Sequence, residues 1–145
     1  MSSPLKVLFL CTGNSCRSQM AEGFARSLKG DLIEARSAGV TPQGLNPLAV
    51  KVMLESGVDI SSQTSRNVEE LRHITFDYVV TVCDKAYQEC PLWPGTGRKV
   101  HHSFDDPPRL AASAGSEEEA LGHYRRVRDE IKAYIETLPQ SLEGL

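Results

Sequence analysis

Short apolar runs alternate with helical patterns along this chain of 145 residues, and the alternation restricts the possible folds more than any other feature. Runs typical of buried strands occupy residues 5–10, 32–38, 76–82 and 99–104. Helical periodicity separates them at residues 20–28, 47–56 and 68–71, and returns in a long segment that begins near Ser116. Strands that alternate with helices form a parallel sheet covered on both sides. The pattern predicts an α/β fold: a single domain over residues 1–145, with an open four-stranded parallel sheet and helices on both faces.

The composition argues against several classes of protein. Hydrophobic residues make up 40% of the chain and charged residues 24%, which is typical of a globular domain. The net charge of −3 provides no basic field to attract nucleic acid. The sequence contains neither an apolar run of about 18 residues that would span a membrane nor a secretion signal at its start. We therefore expect a soluble cytoplasmic monomer with no nucleic-acid or membrane partner.

The chain contains four cysteines, Cys11, Cys16, Cys83 and Cys90. In a reducing compartment, cysteines are more often catalytic, redox-active or metal-binding than permanently cross-linked. No Cys-x2-Cys pair is present, which argues against a structural zinc site, and we expect no bound metal.

Chemically active residues follow three of the predicted strands. Cys11 comes after the first strand, Cys83 after the third, and Asp105 and Asp106 after the fourth. Ligands of open α/β sheets bind outside the carboxyl ends of the strands. The sequence therefore predicts that these side chains meet at one edge of the sheet.

The loop after the first predicted strand is built to bind an oxyanion. A loop that leads into a helix start exposes backbone N–H groups, and the helix dipole adds positive charge there. Small residues allow such a backbone to curl around a tetrahedral anion. The loop residues are Thr12, Gly13, Asn14, Ser15 and Cys16. Arg17 adds a planar, two-pronged donor that suits oxyanions.

Cys11 would lie beneath the bound anion as a thiolate, and this setting predicts a pKa below the usual value for cysteine. Ser18 is placed to donate a hydrogen bond to the sulfur. The alternative is that Cys11 is a buried packing residue, as many free cysteines are. The spacing Cys-x5-Arg-Ser between a strand and a helix favours a nucleophile, whereas Cys16 is interpreted as a structural residue.

The segment CTGNSCRSQMAEG, residues 11–23, resembles the phosphate-binding loop of the low-molecular-weight protein tyrosine phosphatase fold. More narrowly, it resembles the thioredoxin-coupled arsenate reductases built on that fold. Further similar segments are SAG at 37–39, VVTVCDKAYQECP at 79–91, FDDP at 104–107 and RVRDEI at 126–131.

The resemblance implies a relay of three cysteines. Cys11 would attack arsenate, Cys83 would then attack Cys11 and release arsenite, and Cys90 would attack Cys83. The resulting Cys83–Cys90 disulfide would be reduced by thioredoxin, so that no organic cofactor or metal is needed. Asp106, directly before Pro107, would be the general acid, in preference to Asp105.

The spacing of the last two cysteines predicts a conformational switch. If residues 86–90 are helical, Cys83 and Cys90 lie about 10 Å apart along the axis, whereas a disulfide requires Cα atoms within about 7 Å. We expect the segment to be ordered in the reduced state and looped out in the oxidised state.

Two features depart from the pattern that the resemblance implies. Some relatives bind potassium near the loop; Asn14, Glu22 and Ser37 match their ligands, but Arg66 stands where an aspartate is expected. We therefore expect little activation by potassium. The stretch over residues 108–122 also looks longer than usual, which affects the entrance to the site.

Two alternatives remain open at this point. A tyrosine phosphatase would use Cys11, Arg17 and Asp106 in the same roles, but it has no need of Cys83 or Cys90. It typically carries aromatic residues after the Asp-Pro, where this chain reads PPRLAASAG. A non-enzymatic thiol redox sensor or metal-binding regulator would explain Cys83 and Cys90, but neither the oxyanion loop nor the aspartate at a strand end.

Overall fold

A computed structural model describes residues 4–83 and 97–143. The strands are β1 (Leu5–Cys11), β2 (Ile33–Gly39), β3 (Tyr78–Thr81) and β4 (Arg98–His101). The helices are α1 (Arg17–Lys29), α2 (Pro47–Glu55), α3 (Pro107–Ala111), α4 (Glu117–Glu136) and α5 (Gln140–Glu143), with a 3-10 helix at Val68–Leu71. Cys90 and the greater part of the predicted redox switch lie outside the described residues.

The four strands form one sheet in the order β2-β1-β3-β4, and every neighbouring pair is parallel. Consecutive residues of β1, from Val7 to Leu10, are fully or almost fully buried, so both faces of the sheet are covered. The predicted α/β fold with an open four-stranded parallel sheet is confirmed.

Helix α4 anchors the carboxyl-terminal half of the chain. Its buried stripe consists of Leu121, Tyr124, Val127, Ile131 and Ile135. Ser116 caps its start by accepting a hydrogen bond from the Glu119 N–H at 3.1 Å. The Glu119 carboxylate accepts a hydrogen bond from the N–H of Gly115 rather than from that of Ser116, so only half of a capping box forms. No helix in the described ranges is both long and apolar enough to cross a lipid bilayer.

Helix α3 was not predicted from the sequence. It is only five residues long and has no periodic apolar stripe, so it lacked the signal that identifies a helix. Prolines at its start supply the backbone angle that a first helical turn needs. The helix begins directly after Asp106, and residues 108–122 therefore contain most of α3 and the first turns of α4 rather than an extended loop.

Candidate active site

The loop after β1 lies where the strand order of the sheet reverses. β2 pairs with one edge of β1 and β3 with the other, and such a switch point is where open α/β sheets bind ligands. A cleft of about 420 Å³ opens there, and Cys11, Arg17, Cys83 and Asp106 all line it. The structure thus brings together these four predicted side chains, although they are far apart in the sequence.

The thiols of Cys11 and Cys83 are partners. Both residues are buried, and their side chains share a hydrogen bond. Thr12 Oγ1 lies 3.3 Å from Cys83 Sγ, within hydrogen-bonding distance. Both cysteines are free thiols, as is Cys16. The two sulfurs therefore lie in the same cleft, at the same edge of the sheet.

The pKa of the Cys11 thiol is raised, so the lowered pKa expected from the sequence is wrong. The hydrogen bond to Cys83 is the largest cause and burial is the next, while Arg17 and the Thr12 backbone N–H act in the opposite direction. Neighbouring groups that both ionise oppose each other's charge. The local sequence contains the groups that lower this pKa, but not the distant thiol that outweighs them.

Four carbonyl groups of the loop are held by hydrogen bonds to other parts of the chain. Those of Thr12, Gly13, Asn14 and Ser15 accept hydrogen bonds from the Thr41 N–H (2.8 Å), the Gln43 N–H (2.9 Å), the Gln19 side-chain amide (3.0 Å) and the Asn46 N–H (3.0 Å). In a trans peptide, the C=O and the following N–H point in opposite directions. The N–H groups of residues 13–16 therefore point away from these partners, which is the arrangement that an oxyanion receptor requires.

Asn14 holds the loop in its curled conformation. Its φ of 46° lies in the left-handed region, which asparagine tolerates better than most residues. Its buried side-chain amide donates to Ser18 Oγ at 2.9 Å and Ser37 Oγ at 3.0 Å, and its Oδ1 accepts from the Arg66 N–H at 2.8 Å. Every hydrogen-bonding group of the side chain therefore has a partner.

Gly39 at the end of β2 allows this packing. A Cβ atom there would lie 2.7 Å from the Thr12 carbonyl oxygen and 2.8 Å from the Asn14 nitrogen. Both contacts are with backbone atoms, which cannot swing aside as a side chain can. Any larger residue at this position would displace the loop.

Cys16 lies directly before α1 and lines the same cleft as Cys11, but Cys83 is not among the groups that shift its pKa. Burial is the main cause that raises the pKa of Cys16 to about 12, against a smaller opposing effect of Arg17. Its thiol is therefore neutral at physiological pH, which supports the structural interpretation of its side chain.

Arg17 connects the loop to the acidic segment. Its Nη1 donates to the Phe104 carbonyl oxygen at 2.9 Å, and its Nη2 lies 3.7 Å from Asp106 Oδ1. A guanidinium has five N–H donors, so others remain available for an oxyanion. Asp105 instead pairs with Arg126 at 3.0 Å, which leaves Asp106 as the carboxylate beside Arg17.

The residues matched to a potassium site come together, but their oxygen atoms already have partners. Asn14 Oδ1 accepts from the Arg66 backbone, and Ser37 Oγ donates to Glu22 Oε1 at 2.6 Å. The other Glu22 oxygen pairs with Arg26 at 2.8 Å. This arrangement does not suit a cation. The guanidinium that pairs with Glu22 belongs to Arg26, a residue that the sequence analysis did not single out. Among the described residues, no cluster of His, Cys, Asp or Glu fits a metal ion.

Comparison with known proteins defines the class of the chain. Residues 6–144 match the family described as low molecular weight phosphotyrosine protein phosphatase. The chain belongs to this family, which is consistent with the oxyanion loop at the end of β1.

Within that family, the chain is similar to arsenate reductases. The arsenate reductase of Halalkalibacterium halodurans is 47% identical over 93% of this chain and 95% of the relative, and that of Bacillus subtilis is 48% identical over 90% and 95%. A solved arsenate reductase in the phosphate binding state superposes with a TM-score of 0.74 at 34% identity, over 92% of this chain and 95% of the other. A solved arginine phosphatase with a phosphorylated active-site serine shares the fold at 25% identity, with a TM-score of 0.71 over 96% of both chains.

Proposed function

We propose that this protein reduces arsenate to arsenite through Cys11, Cys83 and Cys90. The observation that carries the proposal is the buried Cys11–Cys83 pair at the floor of an oxyanion-binding cleft. A phosphatase needs the first thiol and has no use for the second. The similarity to curated arsenate reductases supports the same conclusion.

The first step binds arsenate in the loop and forms a bond between sulfur and arsenic. Cys11 attacks the arsenic atom, and one oxygen leaves as water after it receives a proton from Asp106. The loop N–H groups and Arg17 stabilise the negative charge of the oxyanion. The proton that Cys11 loses passes to an oxygen of the bound arsenate.

The second step transfers two electrons to arsenic. Cys83 gives its proton to an oxygen of the arsenic adduct, and the resulting thiolate attacks Cys11 Sγ, so that a sulfur–sulfur bond forms and the sulfur–arsenic bond breaks. The electron pair of the broken bond stays on arsenic, which leaves as arsenite. The Thr12 hydroxyl, 3.3 Å from Cys83 Sγ, is placed to stabilise the attacking thiolate by a hydrogen bond.

The third step restores the nucleophile. Cys90 attacks Cys83, which frees Cys11 as a thiolate and leaves the Cys83–Cys90 disulfide. A thioredoxin supplies the two electrons that reduce this disulfide, and no bound cofactor takes part. Such a relay requires a reducing compartment, so we place the protein in the cytoplasm.

Phosphatase activity is the second candidate, because phosphate has the same tetrahedral shape as arsenate and the family contains phosphatases. Cys11, Arg17 and Asp106 would serve it in the same roles. Among the described residues that line the cleft, Phe104 is the only aromatic, which offers a poor platform for a phosphotyrosine ring. We therefore expect only weak phosphatase side activity.

Thiol titration during a single turnover tests the proposal. Reduced protein is mixed with one equivalent of arsenate in the absence of thioredoxin, and free thiols and arsenite are counted together. Loss of two thiols for each arsenite supports the reductase. Unchanged thiols would favour the phosphatase, and thiol loss without arsenite would favour a redox sensor.

Matched samples make this test specific. Phosphate in place of arsenate fills the same loop but cannot be reduced, so it should leave all four thiols intact. We expect Cys11→Ser and Cys83→Ser to form no arsenite. We expect Cys90→Ser to complete one turnover and to fail in continuous turnover with a thioredoxin system.

A further inference from the structure

Two arginines hold the segment that carries Asp106. The Phe104 carbonyl accepts from Arg17 Nη1 at 2.9 Å, and Asp105 Oδ2 accepts from Arg126 Nη2 at 3.0 Å. The first arginine begins α1, directly after the oxyanion loop, and the second lies on α4. Asp106 directly follows these two anchored residues.

We propose that Arg126 is a positioning residue, which acts through Asp105 to hold Asp106 at the cleft. The inference rests on the proposed function, in which Asp106 donates the proton to the leaving oxygen. Arg126 lies in the RVRDEI segment, and the reaction steps above give this segment no role. Its contribution would be geometric, because its own guanidinium pairs with Asp105 and Glu130.

Asp106 needs an external support because its own segment provides little. Its side chain forms no capping hydrogen bond at the start of α3, and α3 has only five residues. Its closest charged partner is Arg17, at 3.7 Å, which is too long for a hydrogen bond. The position of the carboxylate therefore depends on how firmly its neighbours are held.

Helix α4 is a firm base for such a support. Tyr124 and Val127, which flank Arg126 in the chain, are buried in the core. Glu130, one turn further along, pairs with Arg126 Nη1 at 3.0 Å and orients the guanidinium. The other end of that guanidinium is then directed at Asp105.

This ion pair is better suited to positioning than to global stability. The side chains of Arg126 and Asp105 are 44% and 60% exposed, and exposed pairs contribute little to the free energy of unfolding. Removing Arg126 should therefore leave a folded protein in which the acidic segment alone is loosened.

The neighbouring Arg125 provides a matched control. It lies on the same helix and carries the same charge, but it pairs with Glu55 and Glu118 and does not contact the acidic segment. We expect Arg126→Gln to lower the single-turnover rate of arsenite formation at saturating arsenate about tenfold. This is less than the whole rate contribution of a well-positioned general acid, because Asp106 itself is still present. The half-saturating arsenate concentration should change less, and Arg126→Lys should recover part of the rate. Arg125→Gln should retain the rate of the unmodified protein.

A double-variant cycle separates positioning from a general structural effect. In the Asp106→Asn background there is no acid left to position, so Arg126→Gln should cause no further loss of rate. Asp105→Asn alone should resemble Arg126→Gln, because it removes the other end of the same pair. A full tenfold loss in the Asp106→Asn background would overturn the inference.

Amide hydrogen exchange gives a readout that does not depend on arsenate chemistry. The Phe104 N–H donates to the Val82 carbonyl at 3.1 Å, and its exchange reports opening of the segment. Arg126→Gln should accelerate this exchange and Arg125→Gln should not. If exchange accelerates but the unmodified protein forms no arsenite, the proposed function fails while the support by Arg126 stands. Unchanged exchange in Arg126→Gln overturns the inference.

Discussion

The loop over residues 12–16 and the segment over residues 104–106 both line the cleft, but they are held in different ways. The loop is fixed by buried hydrogen bonds around Asn14, each with a backbone or side-chain partner inside the fold. The acidic segment is held by Arg17 at the cleft and by an exposed pair on Arg126. Buried hydrogen bonds are expensive to break, whereas exposed ion pairs exchange readily with water. In the proposed mechanism, the site therefore combines a preformed oxyanion receptor with an acid whose position is adjustable.

The largest effect is expected from a change that displaces the receptor. Gly39→Ala places a Cβ against two backbone atoms of the loop, and overpacking of this kind costs about 1–3 kcal/mol of the free energy of unfolding. Binding of phosphate, measured by titration calorimetry, should be lost. The control is Gly122→Ala, where no atom lies within 4 Å and stability measured in urea should rise. Normal phosphate binding by Gly39→Ala would contradict the rigid receptor.

Removal of the acid should leave the receptor intact and slow the chemistry. Asp106→Asn should reduce the single-turnover rate of arsenite formation about 100-fold, the lower range for a general acid. Phosphate should still bind, because the loop amides and Arg17 remain. Asp129→Asn, an exposed change on α4, serves as the control. Equal rates in the two variants would exclude Asp106 as the proton donor.

The third prediction concerns the charge of the thiols at the floor of the receptor. The hydrogen bond to Cys83 is the largest cause of the raised pKa of Cys11, so Cys83→Ala should lower this pKa. A lower pKa means more thiolate at neutral pH and faster alkylation of Cys11. The pH dependence of alkylation by iodoacetamide, followed by peptide mass spectrometry, measures the shift. A profile that does not move, or that moves to higher pH, would contradict the pairing of the two sulfurs.

The smallest effect is expected from potassium. The oxygen atoms of Asn14, Ser37 and Glu22 already have hydrogen-bond or ion-pair partners, and Arg26 supplies the positive charge beside Glu22. Replacing sodium by potassium at constant ionic strength should therefore change the arsenate reduction rate less than about twofold, since a cation would first have to break these buried hydrogen bonds, which is costly. A large potassium activation would mean that this hydrogen-bonded cluster opens readily. The loop over residues 12–16 would then be held no more firmly than the acidic segment over residues 104–106.

Strand and loop patterns were sufficient to predict the sheet and the position of the site. The buried run before Cys11 and the Cys-x5-Arg spacing are local features, and the structure places both Cys11 and Arg17 in the cleft as expected. Helix α3 was missed because a five-residue helix has too few turns to show periodicity. Gln19, which supports the Asn14 carbonyl, was also missed; a glutamine in the first helical turn gives no sign that it is buried.

The sequence by itself determined the alternation of strands and helices, the small oxyanion loop and the residues able to do chemistry at strand ends. These depend on neighbours within a few positions, which backbone geometry relates directly. Only the tertiary structure decided that Cys83 hydrogen-bonds with Cys11, that Gly39 touches the loop, and that Arg126 holds Asp105 rather than Asp106. These contacts join residues that are distant in the chain, and they exist because parallel strand pairing and the packing of α4 bring their backbones together.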